Sequence, residues 1–461
     1  MSGCWRYLLL AFLALLLGAG GCSGPRDEGA EGGLNLLLVT LDTTRRDHLS
    51  CYDPVVGKTP YLDALAADGV RFDMAISASA ATPVSHATIL TGLNPFEHGL
   101  RVMYAESGCR LPETVPTLST ILREEGWQTG AFLSSFTVSS FYGFDRGFDE
   151  FDEGLEVPAD EAFERKQNGF WDWPLDRNQR RSDETTDRTI SWLAGARRPF
   201  FAWVHYWDPH DTEMLPPPEV VSQFVSAIET RPAQRRAAYR SEVHYVDMQF
   251  GRLIRALKDE GLYDDTIIVV VGDHGEGLGD HGWWYHRILY QEQIHVPLII
   301  RAPGWPSGIT VRDLVRTTDI APTLLEAIGL EIPSKISGLS LSGLIHGRSE
   351  APRIAYADAI NLYDLNATIV ARRPDDALVY CAMDREWKLI HRPTLQAKDE
   401  LYNVSVDPGE LVNLIDAEPA RADELRRELE RFNGFVRKPF GEARDPEVLK
   451  RLRSLGYIGN D

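Results

Sequence analysis

The sequence predicts an α/β fold: a doubly wound, mostly parallel sheet flanked by helices. Two short, unbroken apolar runs, 34–40 and 266–272, are typical of strands buried on both faces. Strand-like runs alternate with helical segments along most of the chain, as in sheets whose strands are joined through helices. Beyond about residue 350 the strand-like pieces are shorter, which predicts a small C-terminal antiparallel sheet and a terminal helix.

The first half of the chain follows this alternation. A helix is expected to begin at Thr59-Pro60, because threonine favours the N-cap and proline the first helical position, and to end at Gly69. Residues 150–190 are acidic and contain tryptophans, so we interpret them as an irregular insertion or lid over the sheet edge. The other elements expected here are strands at 70–76, 128–134 and 199–205 and a helix at 116–125.

The second half begins with a long amphipathic helix, 237–260, whose apolar residues recur at helical spacing. Strands at 266–272 and 296–301 complete the predicted main sheet. The small sheet is expected to contain strands at 353–357, 377–381 and 387–391, and a charged helix follows at 419–434.

The domain organisation expected from these elements has five parts. They are a signal peptide at 1–21, a flexible tether at 22–33, a main α/β domain at 34–349, a small α+β subdomain at 350–415 and a helical tail at 416–461.

The chain has 461 residues, enough for a large core, and a formal net charge of -20. Such an acidic chain is not expected to bind nucleic acid or an anionic membrane surface. An anionic substrate would therefore need a local binding site. After Cys22 only Cys51, Cys109 and Cys381 remain, an odd number that implies no disulfide framework.

The N-terminus is typical of an export signal. Arg6 precedes the apolar stretch 7–17, which is too short for a membrane span, and small residues at 18–21 lead into Cys22. This ending resembles the lipobox of bacterial lipoproteins. We expect an exported protein that is anchored by a lipid at Cys22 and faces the periplasm, or else one that is secreted after cleavage nearby.

Polar side chains follow two of the predicted strands. Asp42 lies just beyond the run 34–40, and Asp273 and His274 directly follow 266–272. Chemistry in open α/β sheets lies at the carboxyl ends of the strands, where these groups would offer oxygen and nitrogen ligands to a cation. The alternative is that they cap turns.

A third segment, Thr82 to Gly92, follows a strand and begins a helix. A hydroxyl at a helix N-terminus meets free N–H groups and the positive end of the dipole, and a metal-bound threonine oxygen there would be an activated nucleophile. Thr82 or Ser85 is equally compatible with a simple N-cap role.

The chain resembles the sulfatase family of the alkaline phosphatase superfamily over about residues 34–415. The resemblance implies an alkaline phosphatase-like fold and a metal-dependent hydrolase of sulfate, phosphate or phosphonate esters. It is carried by the stretches 41–51 (LDTTRRDHLSC), 59–66 (TPYLDALA), 82–92 (TPVSHATILTG), 273–282 (DHGEGLGDHG), 289–292 (LYQE), 296–298 (VPL) and 400–410 (ELYNVSVDPGE).

The resemblance identifies Thr82 as the nucleophile. The family pattern Cys-x-Pro-x-Arg, aligned back from Thr91-Gly92, begins at Thr82 and places His86 at its basic fifth position, while the proline is shifted to Pro83. Family sulfatases oxidise that Cys, or a Ser, to formylglycine, which threonine cannot become because its β-carbon bears a methyl group. Thr82 instead resembles the unmodified threonine of superfamily phosphodiesterases and phospho-headgroup transferases.

This difference favours phosphate or phosphonate esters as substrates. A formylglycine hydrate expels sulfate by collapsing to the aldehyde, whereas a sulfo-threonine must wait for water to attack sulfur. A phospho-threonine intermediate, formed by in-line attack and then hydrolysed, is a workable route.

The metal ligands implied by the resemblance are Asp42, Asp273 and His274, with Thr82 on the metal. Thr43 replaces a second family aspartate, and the imidazole favours zinc or manganese over calcium. One site is expected. A second site remains an alternative, built by Asp208, His210 and His286.

Further site residues follow from the same resemblance. His210 matches a substrate-binding histidine, His286 stands where many sulfatases carry lysine, and both are expected to bind the anion or protonate the leaving group. Arg45 matches an arginine that orients the nucleophile. His205 and His281 are candidates for the site edge, and a structural role is equally open for them.

The sequence leaves two other functions open: a phospho-headgroup transferase, or an inactive binding lipoprotein. The expected partner is a small-molecule or saccharide ester. Trp171, Trp173, Trp283 and Trp284 are compatible with a sugar-stacking surface or with plain packing. Oligomeric state is not predicted.

Overall fold

The main sheet contains eight strands in the order β4-β3-β5-β1-β6-β7-β2-β8. The computed structural model describes residues 33–155, 178–210, 215–225, 230–363, 371–436, 440–441 and 445–454. The strands are β1 Asn35–Leu41, β2 Val70–Ile76, β3 Gln128–Leu133, β4 Glu150–Asp152, β5 Phe200–Tyr206, β6 Thr266–Gly272, β7 His295–Arg301 and β8 Ile309–Arg316.

Most neighbouring strands are parallel, as the sequence predicts. The exception is β7, which runs antiparallel to both β6 and β2. At the centre of the sheet, β1 pairs in parallel with β5 and β6, so that Thr40 lies opposite His205 and Leu41 lies opposite Gly272. This register brings the carboxyl ends of β1, β5 and β6 to one edge.

Helices cover both faces of the sheet. They are α1 Pro60–Asp68, α2 Thr82–Thr91, α3 Pro95–His98, α4 Leu118–Glu124, α5 Ser182–Leu193, α6 Pro218–Val221, α7 Arg231–Asp259, α8 Gln291–Ile294, α9 Ile320–Ala327 and α10 Ser342–Ile345. The C-terminal region adds α11 Pro419–Phe432 and α12 Pro446–Ser454.

Alternate side chains of β1 enter separate apolar layers, as expected for a strand buried on both faces. Leu36 and Leu38 pack in the layer that contains apolar residues of α2, α4 and α9. Leu37 and Val39 pack in the opposite layer, together with residues of α1 and α7.

The small sheet is antiparallel and has the order β12-β11-β10-β9. Its strands are β9 Ala355–Ala359, β10 Val379–Met383, β11 Trp387–His391 and β12 Glu400–Asn403. It is joined to the segment before α2, because the Asp358 N–H donates to the Ala78 carbonyl at 3.0 Å, a typical length for a backbone hydrogen bond.

A buried ion pair also holds the small sheet to the main one. The Lys388 ammonium on β11 lies 2.7 Å from Oε1 of Glu410, and neither side chain is exposed. The other oxygen of Glu410 accepts the N–H of Gln291, the first residue of α8, at 2.6 Å. The pair therefore fixes the loop before β7 against the small sheet.

The sequence prediction is wrong for part of 150–190. Residues Glu150–Asp152 form β4 and Ser182–Leu193 form α5, while 156–177, including Trp171 and Trp173, lie outside the described residues. The helix was missed because it buries threonines in place of large apolar residues.

The edge strand β8 was missed because its outward side chains are charged, which hides its apolar alternation.

No helix among the described ranges is both long and apolar enough to cross a membrane. The predicted signal segment, the tether and Cys22 lie outside those ranges.

Replacing Lys388 with methionine should lower the free energy of unfolding by about 3–5 kcal/mol, because Glu410 is left as a buried charge without its cation. Urea unfolding followed by tryptophan fluorescence measures this change. Lys398→Met is the matched control, since the Lys398 side chain is 62% exposed and should change the free energy by less than about 0.5 kcal/mol. Equal effects of the two substitutions would contradict the structural role given to the pair.

Candidate active site

Four side chains meet at the carboxyl edge of the main sheet. Asp42 follows β1, Asp273 and His274 follow β6, and Thr82 is the first residue of α2. All four are fully buried. The ligand atoms of Asp42, Asp273 and His274 lie within 4.8 Å of one another, so the sequence prediction that these three meet is matched by the geometry.

The two carboxylates are held in different ways. Oδ1 of Asp273 accepts the N–H groups of Thr43 (3.0 Å) and His274 (2.7 Å), and its Oδ2 accepts the Ser85 hydroxyl at 3.2 Å. Oδ2 of Asp42 accepts Nε2–H of His205 at 3.0 Å. Oδ1 of Asp42 is buried and has no hydrogen-bond partner in the described part of the chain.

These observations fit a divalent cation. Burial and the neighbouring Asp273 raise the pKa of Asp42 well above its ordinary value, and burial raises the pKa of Asp273 to about 8. Two buried carboxylates side by side repel each other, and a cation offsets both their desolvation and their repulsion. Oδ1 of Asp42, which has no hydrogen-bond partner among the described residues, is available as a ligand for this cation.

The imidazole of His274 presents the correct atom for a ligand. Its Nδ1–H donates to the Gly275 carbonyl at 3.0 Å, which leaves the Nε2 lone pair facing the carboxylates. Burial, followed by the charge of His286, lowers the pKa of His274 well below its ordinary value, so the ring is neutral. A neutral imidazole is the form that binds a metal.

Thr82 faces this set of ligands. Its Oγ1 lies 3.3 Å from Nε2 of His274 and beside the Asp42 carboxylate, whose pKa the hydroxyl lowers. Ala81 occupies the N-cap of α2 and Thr82 the first helical position, and no side chain caps this helix end. The alternative N-cap role of Thr82 is therefore excluded.

His86 does not supply the positive charge expected at the basic fifth position of the motif. Its Nδ1–H donates to the Thr82 carbonyl at 2.8 Å, and burial lowers its pKa to about 4. The ring is therefore neutral. It packs against His205 with 5.0 Å between ring centroids, and it lies behind the threonine as part of the wall of the site.

His210 and His286 form a pair next to the ligands. The two Nε2 atoms are 3.2 Å apart, and the His286 ring stacks on His274 with 4.5 Å between centroids. Nδ1–H of His286 donates to the Ala80 carbonyl at 2.9 Å, so its Nε2 accepts the proton that Nε2 of His210 donates. Burial lowers the pKa of both rings well below the ordinary value.

Asp208 does not join this pair, so the described contacts do not support the alternative of a second metal site built by these three residues. Its carboxylate accepts the Ser182 N–H at 3.1 and 2.9 Å and the Ser182 hydroxyl at 2.6 Å. These bonds satisfy the N-terminus of α5 and occupy both oxygens. Within the described residues, the set Asp42, Asp273 and His274 is the one group with metal-site geometry.

The described contacts of Arg45 do not include Thr82, and its role in orienting the nucleophile stays a prediction. Its guanidinium binds Asp47 at 2.9 and 2.7 Å, Asp280 at 2.7 Å, and the carbonyls of Glu276 and Gly277. All three side-chain nitrogens are thus engaged by these partners. Arg45 joins the loop after β1 to the loop after β6 and so acts on the site through the backbone.

Three supporting residues were missed or left open by the sequence. His205, an open candidate, holds Asp42, and the Ser77 hydroxyl donates to the Asp273 carbonyl at 2.6 Å. Trp283 is buried and its indole N–H donates to the His286 carbonyl at 2.9 Å, which is a positioning role. His205 is the last residue but one of β5 and lies opposite Thr40, so strand register was the signal that could have assigned it.

His281, the other open candidate, lies outside the ligand set. Its Nδ1 is 3.0 Å from Glu292 and its ring stacks on Tyr290 with 3.7 Å between centroids. These contacts support a structural role for His281.

Comparison with known proteins gives matches over most of the chain. The family model "Sulfatase" matches residues 34–330, and "N-sulphoglucosamine sulphohydrolase, C-terminal" matches residues 279–433. The N-acetylglucosamine-6-O-sulfatase of Bacteroides thetaiotaomicron is 26% identical over 88% of this chain and 86% of its own length. The arylsulfatase of Clostridium perfringens is 26% identical over 85% of this chain and 93% of its own length.

The fold is also found among solved structures. The phosphonate monoester hydrolase of Agrobacterium radiobacter superimposes with a TM-score of 0.68 at 23% identity, over 87% of this chain and 96% of that protein. At this identity the likeness establishes a shared fold.

Replacing Asp273 with asparagine should abolish metal binding without unfolding the metal-free protein, because the change removes one of two repelling buried charges. In EDTA, the melting temperature of the variant should equal or exceed that of the wild type. A metal at 100 times its Kd should stabilise the wild type by about 2.7 kcal/mol and the variant not at all.

Asp208→Asn is the matched control for this experiment, because Asp208 is equally buried but binds Ser182. It should lower the melting temperature with and without metal and keep the metal-induced increase. Zinc and manganese are the metals to test. An equal metal-induced increase in wild type and Asp273→Asn would disprove the assignment of this ligand.

Proposed function

Because the chain belongs to the sulfatase family of ester hydrolases, we propose that unmodified Thr82 is its nucleophile and that a covalent threonine ester is formed and then hydrolysed. The observation that carries this proposal is the position of the Thr82 hydroxyl at the start of α2, 3.3 Å from Nε2 of His274 and beside the Asp42 carboxylate. The positive end of the α2 dipole favours the negative charge that develops there.

The first step is in-line attack of Thr82 Oγ1 on the phosphorus or sulfur of the ester. Its proton passes to the neighbouring Asp42 carboxylate, which returns it to Oγ1 when the threonine ester is hydrolysed. A divalent cation held by Asp42, Asp273 and His274, for which we propose zinc or manganese, would lower the pKa of the hydroxyl and offset charge on the transferred group.

The leaving alcohol takes its proton from the His210 and His286 pair. The incoming anionic ester favours the protonated form of this pair, which shares a proton along the 3.2 Å line between the Nε2 atoms. After the alcohol departs, the same pair removes a proton from water. The water then attacks the threonine ester, its bond to Oγ1 breaks, and Thr82 is regenerated.

Threonine chemistry favours phosphate or phosphonate esters over sulfate esters as substrates. The threonine ester has no route to an aldehyde, so its release depends on attack by water, and a metaphosphate-like transition state makes that attack feasible. Several relatives are named as sulfatases of sugars or aryl compounds, which supports a small-molecule or saccharide ester.

Thr82→Ala should lower kcat/KM on the preferred ester at least about 10³-fold, because it removes the proposed nucleophile. The assay compares nitrophenyl sulfate, phosphate monoester, phosphate diester and phosphonate, with zinc or manganese added. We expect turnover of the diester or phosphonate. Thr82→Ser should keep measurable activity, since it retains the hydroxyl.

Thr88→Ala is the control for helix damage, because Thr88 lies on the same helix and its hydroxyl contacts Val84 and His98. It should leave kcat/KM within a few-fold of the wild type. Undiminished turnover by Thr82→Ala would reject the nucleophile. Sulfate turnover that depends on Thr82 would keep the mechanism and reverse the proposed preference for phosphorus.

We further propose that the protein is exported and carries a lipid on Cys22, which the short apolar stretch and the small residues before this cysteine support. In a bacterial host, the wild type should fractionate with membranes. Cys22→Ala should lose the membrane fraction and the lipid mass, because it removes the thiol that would be acylated. Cys51→Ala is the matched cysteine control and should remain with the membranes. A soluble wild type of unmodified mass would refute the anchor.

A further inference from the structure

Tyr239, on α7, contacts the loop that follows β1 and begins with Asp42. Its side chain is fully buried in the apolar layer that contains residues of β1, α1 and α7. Its hydroxyl accepts the N–H of Arg45 at 2.8 Å and donates to the carbonyl of Thr43 at 2.7 Å. One phenol oxygen therefore satisfies two backbone groups of a loop that carries a metal ligand.

Thr43, directly after Asp42, adopts a backbone conformation that threonine seldom takes. Its φ is 47°, in the left-handed region that is unfavourable for a β-branched residue. In this conformation the Thr43 N–H donates to Oδ1 of Asp273 at 3.0 Å, while the Thr43 carbonyl accepts the Tyr239 hydroxyl. Such strain persists only where surrounding contacts enforce it, and the bond from Tyr239 is one of those contacts.

The other bond of the Tyr239 hydroxyl leads to the second loop that carries metal ligands. The N–H of Arg45 is bonded to Tyr239, and its guanidinium binds Asp280 in the loop after β6 at 2.7 Å. That loop begins with Asp273. Tyr239 thus lies where the loops that carry Asp42 and Asp273 are joined.

The phenol is chemically suited to this bridge because it keeps its proton. Burial raises the pKa of Tyr239 above its ordinary value, so the hydroxyl can donate one hydrogen bond and accept another. A phenylalanine of nearly the same shape would leave the Thr43 carbonyl and the Arg45 N–H without this partner. Unpaired buried groups are costly, so the loop would shift towards a conformation that satisfies them elsewhere.

We infer that Tyr239 is a positioning residue of the metal site, because it holds Thr43 in the conformation that fixes Asp42 next to Asp273. The inference rests on the proposed function, since the cation held there is the one that would activate Thr82. Among the described contacts, the hydroxyl bonds the backbone of the loop, so its effect on the ligands passes through Thr43. Removing an outer partner of metal ligands typically weakens metal binding by about 10- to 100-fold.

Metal titration of Tyr239→Phe tests this inference. The variant should bind zinc or manganese, whichever the wild type binds more tightly, with a Kd at least about tenfold higher, because the two carboxylates are no longer held at the spacing of a ligand pair. Calorimetry, or competition with a coloured chelator, measures the Kd.

Tyr52→Phe is the matched control for lost hydrogen bonds. The Tyr52 hydroxyl also donates to one backbone carbonyl and accepts one backbone N–H, both of Leu298, at 2.9 and 3.0 Å. Its removal should lower the melting temperature in EDTA about as much as Tyr239→Phe does, and it should leave the Kd of the metal at the wild-type value.

Hydrogen exchange of the metal-free protein gives a readout that does not depend on the metal. In EDTA, the Thr43 amide should exchange at least about tenfold faster in Tyr239→Phe than in the wild type or in Tyr52→Phe, because its bond to Asp273 is no longer enforced. This amide is the informative one, since its own partner is Asp273 and not Tyr239. Mass spectrometry with fragmentation of the exchanged peptides measures it.

Thr43→Gly tests the strained conformation itself. Glycine adopts a positive φ without strain and keeps the N–H, so the loop should depend less on Tyr239 in this background. The increase in Kd caused by Tyr239→Phe should therefore be smaller with glycine at position 43 than with threonine. An equal increase in both backgrounds would contradict the role given to Thr43.

An unchanged Kd or unchanged exchange at Thr43 in Tyr239→Phe would overturn the inference, as would equal increases in Kd for Tyr239→Phe and Tyr52→Phe. Failure of the metal proposal has a different signature. In that case the wild type binds neither metal, and exchange at Thr43 alone decides the role of Tyr239. Undiminished turnover by Thr82→Ala would reject the nucleophile and would change none of these measurements.

Discussion

Electrostatic repulsion between two buried carboxylates governs this site. The register of β1 and β6 places Asp42 and Asp273 side by side at one sheet edge, and both are removed from water. The protein holds one of them with the N–H groups of Thr43 and His274 and the other with His205. Among the described residues, one oxygen of Asp42 is left without a partner. A cation bound there would offset the negative charge that these bonds leave uncompensated.

The surroundings of the carboxylates are consistently neutral. His86, His205, His210, His274 and His286 all have pKa values lowered by burial, so they contribute donors and acceptors in place of charge. Positive charge near Thr82 is left to the dipole of α2 and to a bound cation. A formylglycine sulfatase motif would have an arginine where His86 stands and a cysteine or serine where Thr82 stands. Both residues of this chain therefore depart from that motif.

The small sheet does more than extend the core. Its ion pair between Lys388 and Glu410 fixes the start of α8, and Asp358 on β9 binds both Arg101 and the backbone before α2. Asn361, just beyond β9, holds the backbone of Arg287 next to His286. The residues around the nucleophile are thus positioned from two sheets, and changes in the small sheet are transmitted to the site through these contacts.

The sequence by itself determined six of the eight strands of the main sheet and the chain positions of Asp42, Thr82, Asp273 and His274. Apolar runs mark buried strands, and a polar residue just after such a run must lie at the sheet edge. It did not determine where flexible side chains point. Arg45 and Asp208 stand at suitable positions, yet their charges are taken by Asp47 and Asp280 and by the N-terminus of α5. The hydroxyl of Tyr239 joins α7 to Thr43 and Arg45, which lie far away in the chain, so only tertiary packing could bring them together.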